Sequence, residues 1–302
     1  MLYVNKGGFM KKNITLYYVG TKGINFGDSI NPIFFERILN IKVKRGYPTN
    51  SDFVAIGSLM QMLTLKNIIR YKKIPYFLKY NLKPIITMGT GFNCDIEKSN
   101  FLTRTYRNVC PVILRGNLSH KTLEKINKRE YKDVSYGDLG LLFLYLLEKK
   151  IPKCYKLGII PHTSDYSNPI INLLLDKIQD STLIDLRMPP LETLERIAEC
   201  ETVISSSLHG LVAADSLNIP NKRIKLSNHG FDFNVDFKFD DYYSIFSNGS
   251  PNYIELTQEN YQSFIKELTP EKISEDYCIS YREVQNYQNQ LYKTCQKLKD
   301  ML

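Results

Sequence analysis

Four side chains in this 302-residue chain combine useful chemistry with a useful position: Asp28, Arg115, His162 and His209. Each follows an apolar, β-branched run and precedes or opens a helical stretch. That is the edge where open α/β sheets gather ligands and where helix N-termini offer unpaired N–H groups to anions. Arg115 carries a planar fork suited to a carboxylate or a phosphate. His162 and His209 can donate to phosphate or move protons near neutral pH. Asp28 stands with Asn25 and Asn31 in a glycine-punctuated loop that lets backbone approach a ligand closely. Each residue also has an ordinary reading: Asp28 as a helix cap, Arg115 as an ion pair between domains, His162 packed under a loop. Their joint placement favours a site for a small anion.

The stretch Val203–Pro220 (VISSSLHGLVAADSLNIP) organises the rest. Thr202, Val203 and Ile204 read as the end of a buried strand, Ser205, Ser206 and Ser207 as a hydroxyl-rich turn, and Leu208–Leu217 as a helix stopped by Pro220. His209 falls in that helix's first turn, and Gly210 follows it. Upstream, strands are expected at Asn13–Gly20, Asp52–Ser58, Pro84–Gly91, Val109–Arg115 and Val134–Leu139, each ending in small or polar residues before a helical stretch. Asn31 reads as a helix cap with Pro32 at the first helical position. After an expected helix at Leu139–Lys149, a second series follows: strands at Tyr155–Pro161, Thr182–Asp185 and Arg223–Leu226, with helices at Ile170–Lys177 and Leu191–Glu199. This alternation predicts parallel βαβ units in two α/β halves, residues 1–150 and 151–270. A mostly helical segment, 271–302, has Val284, Tyr287, Leu291, Cys295, Leu298 and Leu302 along one face. It is expected to pack across the domains, with pairing to a second chain, a homodimer, as the alternative. Phe231–Asp241 alternates aromatic and acidic residues and reads as a surface strand or a loop facing the cleft, with an exposed amphipathic strand favoured over a metal site.

Composition removes several classes. A 43% hydrophobic share supports real cores, and no run approaches the roughly 20 apolar residues needed to span a bilayer. The six cysteines form no C-x-x-C pair and no zinc spacing, so neither a disulfide framework nor a metal site is expected, and a reduced, cytoplasmic protein fits best. There is no P-loop and no G-x-G-x-x-G fingerprint. The net charge of +9 fits an anionic partner, but the basic residues are scattered, which argues against nucleic acid and for a phosphorylated substrate or a membrane surface.

Several motifs occur in the order of a known family. They are Asn25-Phe26-Gly27-Asp28 with Asn31-Pro32, the Gly57-Ser58 and Gly89-Thr90-Gly91 strand ends, Val112–Ser119 (VILRGNLS), Tyr136-Gly137-Asp138, Ile160-Pro161-His162 and Ser205–Ala214 (SSSLHGLVAA). Over about Asn25–Pro220 the chain resembles the polysaccharide pyruvyl transferases, in a subgroup with an S-x-x-H-G form. The resemblance implies two Rossmann-like, doubly wound domains facing a cleft, similar to the GT-B glycosyltransferases. It implies transfer of a pyruvyl group from phosphoenolpyruvate, as donor substrate with no cofactor, to two hydroxyls of a sugar, giving a ketal. Family donor-binding positions fall on Arg115 and His209. Many members carry Arg where this chain has Ser207, so the donor phosphate falls to Ser205, Ser206, Ser207, Gly210 at the helix N-terminus, His162 or Arg223.

The chemistry expected on that basis gives His209 the phosphate and the acid role and Arg115 the donor carboxylate. Asp28 or His162 then deprotonates the acceptor, which Asn25, Asp28 and Asn31 would bind. The acceptor implied is a lipid-linked precursor of a bacterial capsular polysaccharide or exopolysaccharide, met at the inner membrane face through peripheral contact. The alternative is a GT-B glycosyltransferase using a sugar nucleotide. A non-enzymatic basic scaffold at the membrane surface is the remaining rival.

Overall fold

The computed structural model describes residues 14–20, 25–70, 83–226, 236–249 and 253–302. Buried parallel strands are near-continuous apolar runs because both faces are covered, and several inner strands of the two sheets follow that pattern over most of their length. The first contains β1 (Ile14–Tyr17), β2 (Val43–Arg45), β3 (Phe53–Val54), β4 (Ile85–Thr90), β5 (Val109–Leu114) and β6 (Ser135–Tyr136). All pair in parallel, in the order β2-β1-β3-β4-β5-β6. The second contains β7 (Tyr155–Ile160), β8 (Ser181–Leu183), β9 (Cys200–Ser205), β10 (Asn221–Leu226) and β11 (Tyr253–Leu256). These too are parallel, in the order β11-β10-β9-β7-β8. Both sheets therefore start from one inner strand, place the next on one side and the third on the other. The direction of winding reverses between β1 and β3 and again between β7 and β9. Such reversals open a crevice at the carboxyl ends of the strands, and Asp28, Gly57, His162 and Ser205–His209 all follow those four strands.

Four expectations change. The apolar stretch Leu139–Leu146 is a 3-10 helix rather than an α-helix to Lys149. It is apolar nearly all round and interrupted by Gly140, so it takes its shape from its neighbours rather than from a helical period. Asn31 does not cap its helix but lies within Asn31–Leu39, behind Ile30 as the capping position. From Phe237 to Tyr243 the aromatic–acidic run is a helix with Phe237, Phe239 and Asp241 buried, not an exposed strand. The first part of that run, 231–235, lies outside the described residues. Strands β2 and β11, not anticipated, pair at the edges with β1 and β10.

One hydrophobic core runs through both halves. It joins Phe26 and Ile30 after β1, Leu141–Phe143, Leu208–Ala214 after β9, Tyr242–Tyr243 and the face Val284, Leu291, Cys295 and Leu298 of the helix Tyr281–Met301. That helix opens on a capping box in which Ser280 and Glu283 bond reciprocally. Its buried Gln288 donates through Nε2 to Leu141 O (2.9 Å) and to Ser216 O (3.0 Å), tying the two halves together. All six cysteines are free. Among the described residues no helix is long and apolar enough to cross a membrane.

Candidate active site

The turn after β1 is built by two asparagines. Asn25 Oδ1 accepts from Gly27 N at 3.2 Å and starts the short helix Phe26–Ser29. The Asn31 amide donates to Gly27 O (3.1 Å), Asp28 O (3.2 Å) and Ile56 O (3.0 Å), and accepts from Ile56 N (3.0 Å). All of its polar capacity holds the Asp28 turn against the end of β3. The Asp28 carboxylate then lies over Gly57, whose positive φ (+123°) suits glycine and where a Cβ would sit 3.2 Å from Asp28 Oδ1. Burial raises Asp28 to about 6, and the charge of His209 partly offsets that rise.

His209 enters from the other half. It occupies the first turn of Leu208–Ser216 and is 8% exposed. The ring packs on Gly27 so closely that a Cβ there would be 2.1 Å from Nδ1. On its other side Nε2 stands 3.7 Å from Asp138 Oδ2, and neither atom has a hydrogen-bond partner among the described residues. Asp138 Oδ1 is fixed by Gly140 N at 2.8 Å, which starts the Leu139–Leu146 segment. A buried imidazole thus meets two carboxylates of the first sheet, one ionising near pH 6. At 3.7 Å the Asp138 contact is longer than a hydrogen bond and becomes an ion pair once the ring is protonated.

Arg115 is placed differently from a ligand group. It is fully buried, and each nitrogen of its fork is engaged: Nε with Asp241 Oδ2 (2.9 Å), Nη1 with Ser58 Oγ (2.7 Å) and Nη2 with Phe92 O. Asp241 also accepts from Ser119 N (2.7 Å) and Ser119 Oγ (2.6 Å), so it caps the helix Asn117–Asn127 from outside. Gly116 permits this approach, since a Cβ there would fall 1.7 Å from Asp241 O. The guanidinium supports Ser58 and the Phe92 loop rather than opening to the cleft.

The serine turn is mostly internal. Ser205 Oγ donates to Ile160 O (2.8 Å) and accepts from Ser207 N (3.0 Å). Gly210 packs against the same hydroxyl, with a built Cβ 2.5 Å away. Ser207 stands at the cap position but makes no side-chain capping bond. Ser206 Oγ donates to Asp165 Oδ2 (2.5 Å) and accepts from His162 N (2.9 Å). His162 Nδ1 meets Ser164 Oγ at 2.6 Å. The structure thus brings Asp28 and His209 together, sets Ser206, Asp165 and His162 side by side, and directs Asn31, Arg115 and Ser205 into the framework. Beyond β3 and β4 a cavity of about 950 Å³ is lined by Gln61, Lys66, Asn93 and Lys98 among others.

Three residues of this arrangement were not named as candidate site residues from the sequence: Asp138, Asp165 and Asp241. Asp138 had a signal, since it closes the Gly137-Asp138 strand end. Asp165 and Asp241 lie in segments whose side-chain direction depends on tertiary packing. The model of the polysaccharide pyruvyl transferase family matches residues 9–221, a span holding Asp28, Asp138, His162 and His209. The chain belongs to that family. As a polysaccharide pyruvyl transferase family member it is a transferase acting on polysaccharide. An uncharacterized protein of Acanthamoeba polyphaga mimivirus is 26% identical over 244 residues, which span 78% of this chain and 75% of that protein. The crystal structure of an uncharacterized Klebsiella pneumoniae protein aligns with a TM-score of 0.44 at 16% identity, covering 82% of this chain and 93% of the other.

Proposed function

We propose that this polysaccharide pyruvyl transferase moves the pyruvyl group of phosphoenolpyruvate onto two hydroxyls of a sugar, forming a cyclic ketal and releasing phosphate. What carries the reading is His209, buried beside Asp28 and facing Asp138 with its Nε2 unbonded among the described residues. Vinyl-ether chemistry of this kind needs a proton delivered to carbon and protons removed from hydroxyls, and pairs of titratable groups with different environments divide those roles.

In this mechanism protonated His209, its charge stabilised by Asp138, gives a proton to the donor's methylene, and the central carbon becomes electrophilic. A sugar hydroxyl forms a bond to that carbon while Asp28 takes its proton. The carbon–oxygen bond to phosphate breaks, and protonated Asp28 passes its proton to the departing group. The second hydroxyl closes the ketal, and its proton returns to His209. One hydroxyl proton replaces the one lost from histidine and the other leaves with phosphate, so the catalyst is restored. The donor carries its own activated bond, so these steps use neither a metal nor an organic cofactor. Asn25 and Asp28 are left to contact the acceptor, because the Asn31 amide is committed to backbone. Arg115 acts as a positioning residue for Ser58 and the Phe92 loop.

The two parallel sheets are read as Rossmann-like domains of GT-B type, with the acceptor entering between their ligand edges. The scattered net positive charge of +9 suits an acceptor with a pyrophosphate-linked lipid tail, consistent with a capsular or exopolysaccharide precursor met at the membrane surface. The family match does not favour the sugar-nucleotide alternative. The test is phosphate release from phosphoenolpyruvate with galactose-, glucose- and mannosamine-terminated lipid-linked acceptors. Acceptor-dependent release that disappears in His209→Ala supports the reading; near wild-type turnover in that variant removes it.

A further inference from the structure

Lys238 is a cation for which the described structure supplies no partner. It lies on the helix Phe237–Tyr243, half-buried, and makes no hydrogen bond or ion pair with the described residues. The charges acting on its ammonium come from both ligand edges: Arg115 after β5, Arg223 on β10, Asp165 after β7 and Asp236 beside it. Those acids are already engaged. Asp165 accepts from Ser206, while Asp236 pairs with Arg223 and lies 3.6 Å from Lys225 Nζ. Desolvation and the two arginines lower Lys238 to about 8.

Arg223 shares the deficit. It is 3% exposed, its guanidinium stacks on Phe239 at 3.7 Å and lies 4.7 Å from the Tyr253 centroid, and its Nε has no hydrogen-bond partner among the described residues. Lys238 Nζ is 5.2 Å from the centroid of the same Phe239 ring. Two cations with unused donors beside the same aromatic ring repel one another, and an acceptor that joins them relieves that cost. A phosphate accepts on every side and can reach both. Arg223 is in register with Ser205, and Asp165, whose charge acts on Lys238, accepts from Ser206 in the turn that leads to His209.

We propose that Lys238 and Arg223 form the site that holds the phosphate of the donor. Arg115, whose fork is filled by Asp241, Ser58 and Phe92, is not that group. This rests on the phosphoenolpyruvate reading above, but an anion site at this place is testable apart from it.

The experiment is calorimetric titration of the full chain with phosphoenolpyruvate and, separately, with inorganic phosphate. Wild type, Lys238→Met and Lys238→Arg are compared. Truncating one partner of a buried charged contact weakens binding by about 30-fold or more, so Lys238→Met should lose both ligands to that degree while Lys238→Arg keeps them. A second measurement needs no variant: either ligand should protect Lys238 of the wild-type chain from acylation, read by mass spectrometry. Phosphoenolpyruvate binding that is unchanged in Lys238→Met, or that leaves Lys238 as reactive as before, overturns the proposal while sparing the donor reading. Binding of inorganic phosphate but not phosphoenolpyruvate, lost in Lys238→Met, upholds the anion site and removes the donor reading. Binding of neither by wild type overturns the proposal.

Discussion

Replacing Asp241 with alanine tests whether Arg115 holds the fold or the substrate. The substitution leaves a fully buried guanidinium with Nε unpaired and takes the external cap from Ser119 N and Oγ. Breaking a buried ion pair from one side costs about 3–5 kcal/mol, and losing a helix cap adds about 1 kcal/mol. The expected loss is therefore about 4–6 kcal/mol, a large share of the roughly 5–15 kcal/mol that holds a typical domain together. Urea unfolding followed by circular dichroism reads it as a shift in midpoint at constant slope. Arg115→Met should cost a similar amount, and Arg115→Met with Asp241→Leu less than the two single losses added, because both charges leave together. If either single variant loses under about 1 kcal/mol while phosphoenolpyruvate binding disappears, the structural assignment is wrong and Arg115 is a ligand group.

Three further outcomes are expected. Gly27→Ala should abolish turnover while the chain stays folded, because the new methyl group would meet the His209 ring at 2.1 Å; full activity would show that the ring works from another position. Activity should fall as pH drops below about 6, where Asp28 takes up a proton and can no longer serve as base, and a rate independent of pH between 5 and 7 would contradict that role. Asp215, buried among Tyr242, Tyr277 and Asn221, is raised from 3.8 to about 6. A raised carboxylate binds its proton more tightly when folded, so its contribution is complete below pH 3.8 and is lost as pH rises through 6. The stability advantage of wild type over Asp215→Asn should accordingly shrink by about 2 kcal/mol from pH 4 to pH 7; an advantage that grows over that range refutes the sign.

What could be read in the sequence follows from where each signal is stored. Strands such as Tyr155–Ile160 and Cys200–Ser205 announce themselves through the apolar residues of their buried halves, Leu157, Ile159 and Ile160 in one and Val203 and Ile204 in the other. The edge strands Val43–Arg45 and Tyr253–Leu256 do not, since their order comes from pairing with β1 and β10 rather than from composition. Asp28 and His209 were legible by position at strand ends. The ion pair of Arg115 was legible as one of two readings, but its partner was not, because Asp241 lies 126 residues away on a helix that alternation presented as a strand. Lys238 has the same difficulty: its meaning depends on which charges the two halves bring around it.

The Gln288 bridge has a consequence for how the protein is made. Leu141 and the side chain that binds its carbonyl are separated by 147 residues. At about 5–20 residues per second of synthesis, the apolar face of Leu139–Leu146 waits roughly 7–30 s for its cover. During that interval Leu141, Leu142 and Phe143 form a sticky surface on the nascent chain, since the helices that finish their core come from the second half and beyond. Long-range closure of this kind is slow and exposes the chain to aggregation. Ribosome-bound chains that stop before Ser280 should therefore bind chaperones, and the first half should reach its finished state only once Tyr281–Met301 has docked.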